Sequence, residues 1–237
     1  MKQFLFRSHI WLGWLIGGQL LLWMLSGLLM TAMPINEVRG EHLKAPERNR
    51  PIAGIAGLLP PEALLSGTGP EADGLLLRML EGRPVYLLLK GREPVALFDA
   101  QTGTPLRIDE AGAARIAASR HVKGPPVLSV ARVDPQSPPL EFRRDTPAFA
   151  VRLLDDDNSV FYIHAISGEL LAVRTDRWRL FDIMWGLHIM DWRGREDMNH
   201  PLLVGAAALG LLAVAGGITL LVSRALRRRG APFPARS

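Results

Sequence analysis

Hydrophobic positions follow three rhythms along this chain. From Ile10 to Met33 and from Pro201 to Ser223 they run for 24 and 23 residues without an Asp, Glu, Lys or Arg. A helix rising about 1.5 Å per residue crosses a hydrocarbon core of about 30 Å in about 20 residues, so each run predicts a membrane-spanning helix. Between them lie short apolar stretches broken by polar turns. "PVYLLLKGREPVALFDAQTGTPL" (84–106) and "PAFAVRLLDDDNSVFYIHAISGELL" (147–171) share one plan: proline, an aromatic two residues on, a strand, a polar turn, a second strand, then Ala-x-[Thr/Ser]-Gly and an exit strand. Pro84 matches Pro147, Tyr86 matches Phe149, Ala100 matches Ala165 and Gly103 matches Gly168. The second turn is longer because it holds Asp155, Asp156, Asp157 and Asn158. Each copy predicts a β-hairpin closed by a turn whose glycine is free to take positive φ.

The third rhythm is helical and precedes each hairpin. "LLPPEALLSG" is weak, with Pro61 tolerable near a helix start, whereas "DEAGAARIAASRH" has Asp109 placed as an N-cap before apolar residues at helical spacing. Because a lone hairpin is marginal, the two units are expected to pack together. The fold class expected is α+β: two transmembrane helices flanking a domain of two helix-and-antiparallel-strand repeats. The boundaries are 1–9 for the N-terminal segment, 10–33 for the first span and 34–177 for the tandem domain, with repeats at about 53–108 and 109–175. An interfacial helix and linker follow at 178–199, then the second span at 200–223 and a basic tail at 224–237.

Charge sets the orientation. The ends outside the spans carry Lys2, Arg7, Arg224, Arg227, Arg228, Arg229 and Arg236 and no acidic residue, while all 23 acidic residues lie between the spans. Basic flanks stay cytoplasmic. Both termini are therefore expected in the cytoplasm, the middle exported, and the basic pI of about 10.2 is a topology signal with no nucleic-acid partner implied. The first apolar run is longer than the usual signal-peptide h-region and no A-x-A-like site follows before Pro34, so an uncleaved anchor is expected. The chain has no cysteine, which excludes disulfides, thiolate nucleophiles, iron–sulfur clusters and covalent haem attachment. Motifs for serine or zinc hydrolysis, phosphate loops and dinucleotide binding are absent as well.

Candidate chemistry rests on six histidines: His9, His42, His121, His164, His188 and His200. His9 shares a helix face with Gly13 and Gly17, which suits either a porphyrin ligated by His9 or a Gly-x-x-x-Gly helix contact. His200 stands before Pro201 and suits either ligation or helix capping. His188 lies in "WRLFDIMWGLHIMDW" (178–192), whose Trp178, Trp185 and Trp192 favour the headgroup level. Asp191, three residues on, is spaced to orient the His188 ring from the same helix face. Arg177 and Arg179 could reach lipid phosphate or a haem propionate. His121 and His164 are expected at the surface or in turns, and the Asp155–Asn158 run in a solvated turn.

The strand-and-turn stretch "YIHAISGELLAV", followed at once by "WRLFDIMWGLH" and a membrane helix, resembles the PepSY domain with its associated transmembrane region. The opening "HIWLGWLIGGQLLLWMLSGLLM" is similar to the first span of that family. The resemblance implies a bacterial inner-membrane protein, and some members resemble haem proteins that pass electrons across the bilayer, including ferric-siderophore reductases. Carried over to this chain, it implies haem b on His9, His188 and His200, an electron-donor protein, and a link to ferric iron or siderophore reduction. Those reductase-like relatives have about four spans against the two here. A bis-histidine site at the cytoplasmic edge, where only His9 stands, is therefore expected to need a second copy in a homodimer or a partner membrane subunit, whereas at the exported edge His188 and His200, or His42, could pair within one chain. The other reading the family name allows is a membrane-anchored protein-binding or peptidase-inhibitory module with no cofactor.

Overall fold

The computed structural model describes residues 2–46, 51–52, 54–65 and 71–229. The expected start of the first repeat at residue 53, the end of its leading helix beyond 65, and the tail from 230 on lie outside the described residues. The chain is α+β, with six α-helices and two antiparallel sheets among the described residues, and it divides into two compact units. One unit holds residues 34–180; the other holds residues 1–33 and 181–237.

The first unit begins with helix α2 (Ile35–Val38) and a 3-10 turn at Glu41–Leu43. Helix α3 (Pro61–Leu65) then leads into strands β1 (Gly74–Leu80), β2 (Arg83–Lys90), β3 (Glu93–Asp99) and β4 (Pro105–Leu106), paired in chain order as a meander. Helix α4 (Glu110–Ser119) leads in the same way into β5 (Val127–Val133), β6 (Ala148–Leu153), β7 (Val160–His164) and β8 (Leu170–Arg174). As the sequence predicts, Asp109 caps α4: its Oδ1 accepts the Gly112 amide at 2.7 Å. Such a bond satisfies one of the donors orphaned at a helix start.

Side chains alternate across a strand, and the second sheet uses both faces. Phe149, Val151, Phe161, Ile163 and Val173 bury against Ala113, Ile116 and Ala117 of α4. Val160, Tyr162, Ala148 and Ala172 pack on the opposite face with Val133 and Phe142. All five residues of β7 are consequently buried. The first sheet has a smaller core of Val85, Leu87 and Leu97, and Leu80 and Ile108 pack against both cores, joining them.

The internal repeat reaches down to single hydrogen bonds. The Ala100 amide donates to Pro84 O at 3.0 Å, and the Ala165 amide to Pro147 O at 2.8 Å. Gly103 N donates to Asp99 O and Gly168 N to His164 O, each at 2.9 Å. Asp99 Oδ1 collects the amides of Gln101 and Thr102, both at 2.9 Å. At the matching place His164 Nδ1 collects those of Ile166 and Ser167, at 3.0 and 3.1 Å. An imidazole in one copy therefore does the work of a carboxylate in the other. Gly103 lies against Leu59 and Leu64 of its own copy, whereas Gly168 lies against Ile116 of its own copy and against Ile108 and Leu80, where the two copies meet.

Two surface expectations are corrected here. His164 keeps its turn role but is buried, at 4% exposure, because β7 is covered on both faces. His121 is equally buried, beneath the chain at Leu43, whose carbonyl accepts the Val122 amide at 2.9 Å. The acidic turn is not simply solvated either. Asp155 accepts from the amide and hydroxyl of Ser159 and holds Oδ2 3.4 Å from His121 Nε2. Burial depresses the His121 pKa, with Asp155 opposing the shift.

In the second unit, helix α1 spans Lys2–Ala32, helix α5 begins at Asp176 in the first unit and ends at His188, and helix α6 spans Pro201–Arg229. Within α1 and α6, Gly13–Ala32 and Pro201–Arg227 are long and apolar enough to cross a membrane, with mean hydropathies of 1.6 and 2.1. Trp14, Leu15, Leu211 and Leu212 are all left exposed, as helices apolar on every side require when lipid is the solvent.

Candidate functional site

The histidine the sequence puts at the centre of its chemistry finds its partner on α1. His188, the last residue of α5, brings Nδ1 within 3.1 Å of Ser26 Oγ. Gly27 makes this approach possible: a Cβ there would stand 3.4 Å from His188 Cε1. The ring also lies against Trp23, with centroids 6.3 Å apart. Ser26 is buried, and its Oγ is 2.7 Å from Leu22 O, one turn back. A hydroxyl has one proton. With that proton on the nearest acceptor, Leu22 O, Oγ accepts Nδ1–H from His188. The tautomer so assigned leaves the lone pair on Nε2, which has no hydrogen-bond partner among the described residues.

Asp191 does not take the part its spacing suggested. The helix ends at His188, Met190 takes φ +58, and the chain turns away from the helix face. Asp191 instead gathers the amides of Arg193, Gly194, Glu196 and Asp197. These donors, Glu196 foremost, hold its pKa down at about 2. Because the folded value lies below the ordinary 3.8, the ionised form favours the closed loop, and that contribution is lost as pH falls through about 2. The 193–197 amides are expected to keep their protection from hydrogen exchange at pH 4 and to lose it towards pH 2. Asp191→Ala would lose it at both.

The same loop is pinned to α5 by an ion pair the sequence gave no sign of. Arg195 donates to Asp182 Oδ2 at 2.6 Å, with Asp182 buried, and Trp185 Nε1–H donates back to Arg195 O at 3.0 Å. Gly186 is where the arginine stem crosses the helix: a Cβ would meet Arg195 Cγ at 2.9 Å. His200 precedes α6 and uses both ring nitrogens. Nε2 faces Ile189 O at 2.9 Å and Nδ1 accepts the Leu203 amide at 3.3 Å. That is the capping arrangement, with Pro201 in the first helical position. His9 lies in α1, and its side chain is outside the described residues.

The remaining candidates belong to the other unit. Arg177 pairs with Glu37. Arg179 reaches Glu141 and Asp176, both at 2.9 Å. Glu141 also receives the Tyr162 hydroxyl at 2.7 Å, and burial with that bond pushes the phenol pKa well above its usual value. Trp178 lies under the Arg174 guanidinium, 4.2 Å from its ring centre. His42 Nε2 stands 3.7 Å from Asp157. Of the three tryptophans, Trp192 is exposed, while Trp178 and Trp185 have protein partners. Among the described residues no group of three or more His, Asp or Glu side chains is gathered as for a metal ion. Comparison of the chain with protein-family models, with curated proteins and with solved structures finds no match.

Proposed function

We propose that this chain is a two-span inner-membrane protein of the PepSY type, with cytoplasmic termini and an exported tandem α+β domain. In this reading it binds haem b through His188 and serves as an electron-transfer component linked to ferric iron or siderophore reduction. One observation carries the reading: an imidazole next to an apolar span, with Nδ1 3.1 Å from the buried Ser26 hydroxyl and Nε2 without a hydrogen-bond partner among the described residues. Ligating histidines are typically oriented in this way, by a partner on the other ring nitrogen. Bound there, haem b would supply one-electron exchange between ferric and ferrous iron. Ser26 would fix the ring's tautomer and rotation, and Gly27 would let it lie against the α1 backbone.

The donor set within one chain fits as half of a bis-histidine site. His200 spends both nitrogens on Ile189 and Leu203, and Arg177 and Arg179 are committed to carboxylates. A second histidine would therefore have to come, in this proposal, from a second copy or a partner subunit, with His9 available to any site at the other face. A donor protein supplies electrons, since the chain has no nicotinamide or flavin motif.

Full-length protein purified in detergent after expression with ample haem is expected to show the oxidised and dithionite-reduced spectra of b-type haem, with the pigment confirmed as pyridine haemochrome. His188→Ala should abolish the pigment. Ser26→Ala should keep it with altered bands or weaker retention, and His200→Ala should cost stability while sparing it. A colourless protein, or pigment indifferent to His188, would overturn the assignment. The anchored interaction module without cofactor would then be left, a reading favoured by the structural engagement of His200, Arg177 and Arg179.

A further inference from the structure

Between α1 and α6 of the second unit runs a groove of about 310 Å³. Ile16, Gln19 and Leu20 line it from α1, Gly205 and Leu209 from α6, and Met190 from the loop after α5. Two glycines of α6 set its shape. At Gly210 a Cβ would meet Leu20 Cδ2 at 3.5 Å, so the helices close there, whereas a Cβ at Gly205 would have nothing within 4 Å. Among the described residues Gln19 is the one lining the groove whose side chain carries nitrogen or oxygen, and its amide has no hydrogen-bond partner there. A primary amide has two donors and an acceptor to satisfy, and hydrocarbon offers no water to do it.

Depth narrows what can satisfy it. Gln19 lies close to the middle of the uncharged run 10–33, only about 4 Å from it along a helix. Glycerolipids keep their ester and headgroup oxygens at the borders of the hydrocarbon core, about 15 Å from its centre, so they present only methylene groups to this amide. A ligand for Gln19 must dissolve in hydrocarbon, be neutral, and carry an acceptor oxygen to mid-depth. Apolar clefts between helices with one or a few placed polar groups are where such small ligands bind. We propose that the groove binds an isoprenoid quinone, one ring carbonyl accepting from the Gln19 amide, the ring laid over Gly205 and the tail left to the lipid. The inference rests on the two-span part of the reading above and not on haem. Gln19 is seven residues, or two helical turns, from Ser26 on α1, and no histidine among the described residues lines the groove.

Calorimetric titration of the full-length protein in detergent with decylubiquinone tests this, with decylbenzene, the same tail on a ring without carbonyls, as the comparison probe. Saturable binding of decylubiquinone is expected, about tenfold weaker in Gln19→Leu, as for loss of one hydrogen bond in an apolar site. Leucine at this place carries no folding burden, since it takes a polar group out of lipid. Gly205→Leu fills open space in the groove and should abolish binding, whereas Gly216→Leu, equally unobstructed on α6 but away from the groove, should leave it unchanged. Decylbenzene bound as tightly as decylubiquinone would show that the carbonyl is not read. Phospholipid retained through purification by the wild type and lost in Gly205→Leu would show that a lipid chain fills the groove. Either result overturns the proposal, as does decylubiquinone affinity that is absent or indifferent to Gln19→Leu. Alkaline carbonate extraction of membranes tests the spans by themselves: a protein that stays in the membrane yet binds no quinone sinks the ligand and leaves the two-span reading standing.

Discussion

Gly168→Ala is expected to destabilise the protein by about 2–4 kcal/mol, and Gly103→Ala by about 1–2 kcal/mol, although the two glycines close equivalent turns. Both have left-handed backbones, with φ of +71° and +72°, so an alanine at either pays the same conformational penalty. The difference lies above the turn. A Cβ on Gly168 would stand 2.7 Å from Ile108 Cδ1, 3.0 Å from Leu80 Cδ1 and 3.2 Å from Ile116 Cδ1, three side chains at the junction of two cores. A Cβ on Gly103 would meet Leu59 Cδ1 at 3.0 Å and Leu64 Cδ2 at 3.6 Å, beside a five-residue helix. Denaturant unfolding of the full-length protein, followed by far-ultraviolet circular dichroism, reads both. Equal costs, or a larger cost at Gly103, would mean that packing over the second turn is softer than described.

Arg195→Ala should cost about 2–4 kcal/mol in the same assay, because the buried Asp182 carboxylate loses the guanidinium that donates to it at 2.6 Å. Removing the charge as well should recover most of the loss. In Asp182→Leu with Arg195→Met, apolar side chains of similar volume replace both partners, an exchange that is often neutral. If the single and double variants are equally unstable, the pair contributes through the shape of the 189–197 loop and not through charge compensation. The His188 environment supplies a second readout. A loop released from α5 should broaden the imidazole resonances of His188, and the double variant should sharpen them again.

Much of the fold is legible in the sequence because its signals are local. Twenty-odd residues without charge make a helix long and apolar enough to cross a membrane, and Pro-x-aromatic, a short apolar strand and Ala-x-[Thr/Ser]-Gly repeat at nearly constant offset. The Asp109 cap needs only the four residues to Gly112. Burial of histidines was the weak point, since His121 and His164 look polar in sequence and lie beneath strands and segments contributed from elsewhere. At the His188 site the decisive partner, Ser26, is 162 residues away. Nothing near either residue announces the contact, apart from Gly27, whose missing side chain leaves room for the ring. Asp191 misleads in the sequence for the opposite reason. Its spacing from His188 is helical, but the helix stops there, and four loop amides outbid the imidazole for the carboxylate. Arg177 and Arg179 read as anion binders until Glu37 and Glu141 arrive from other parts of the chain.

The exchange of Asp99 for His164 gives the two copies different tolerances to acid. Each side chain must be unprotonated at the atom that receives its pair of turn amides. Asp99 meets that condition down to strongly acidic solution, because the Thr102 and Gln101 amides hold its pKa below the ordinary 3.8. His164 also titrates below its ordinary value of 6.5, through burial of the ring, so the unfolded chain takes up a proton before the folded one does. The second turn therefore starts to lose support as pH drops beneath about 6.5, while the first is still fully held. A duplicated fold thereby meets acid with two different side chains, and the stability that His164 lends begins to fall at a higher pH than the stability lent by Asp99.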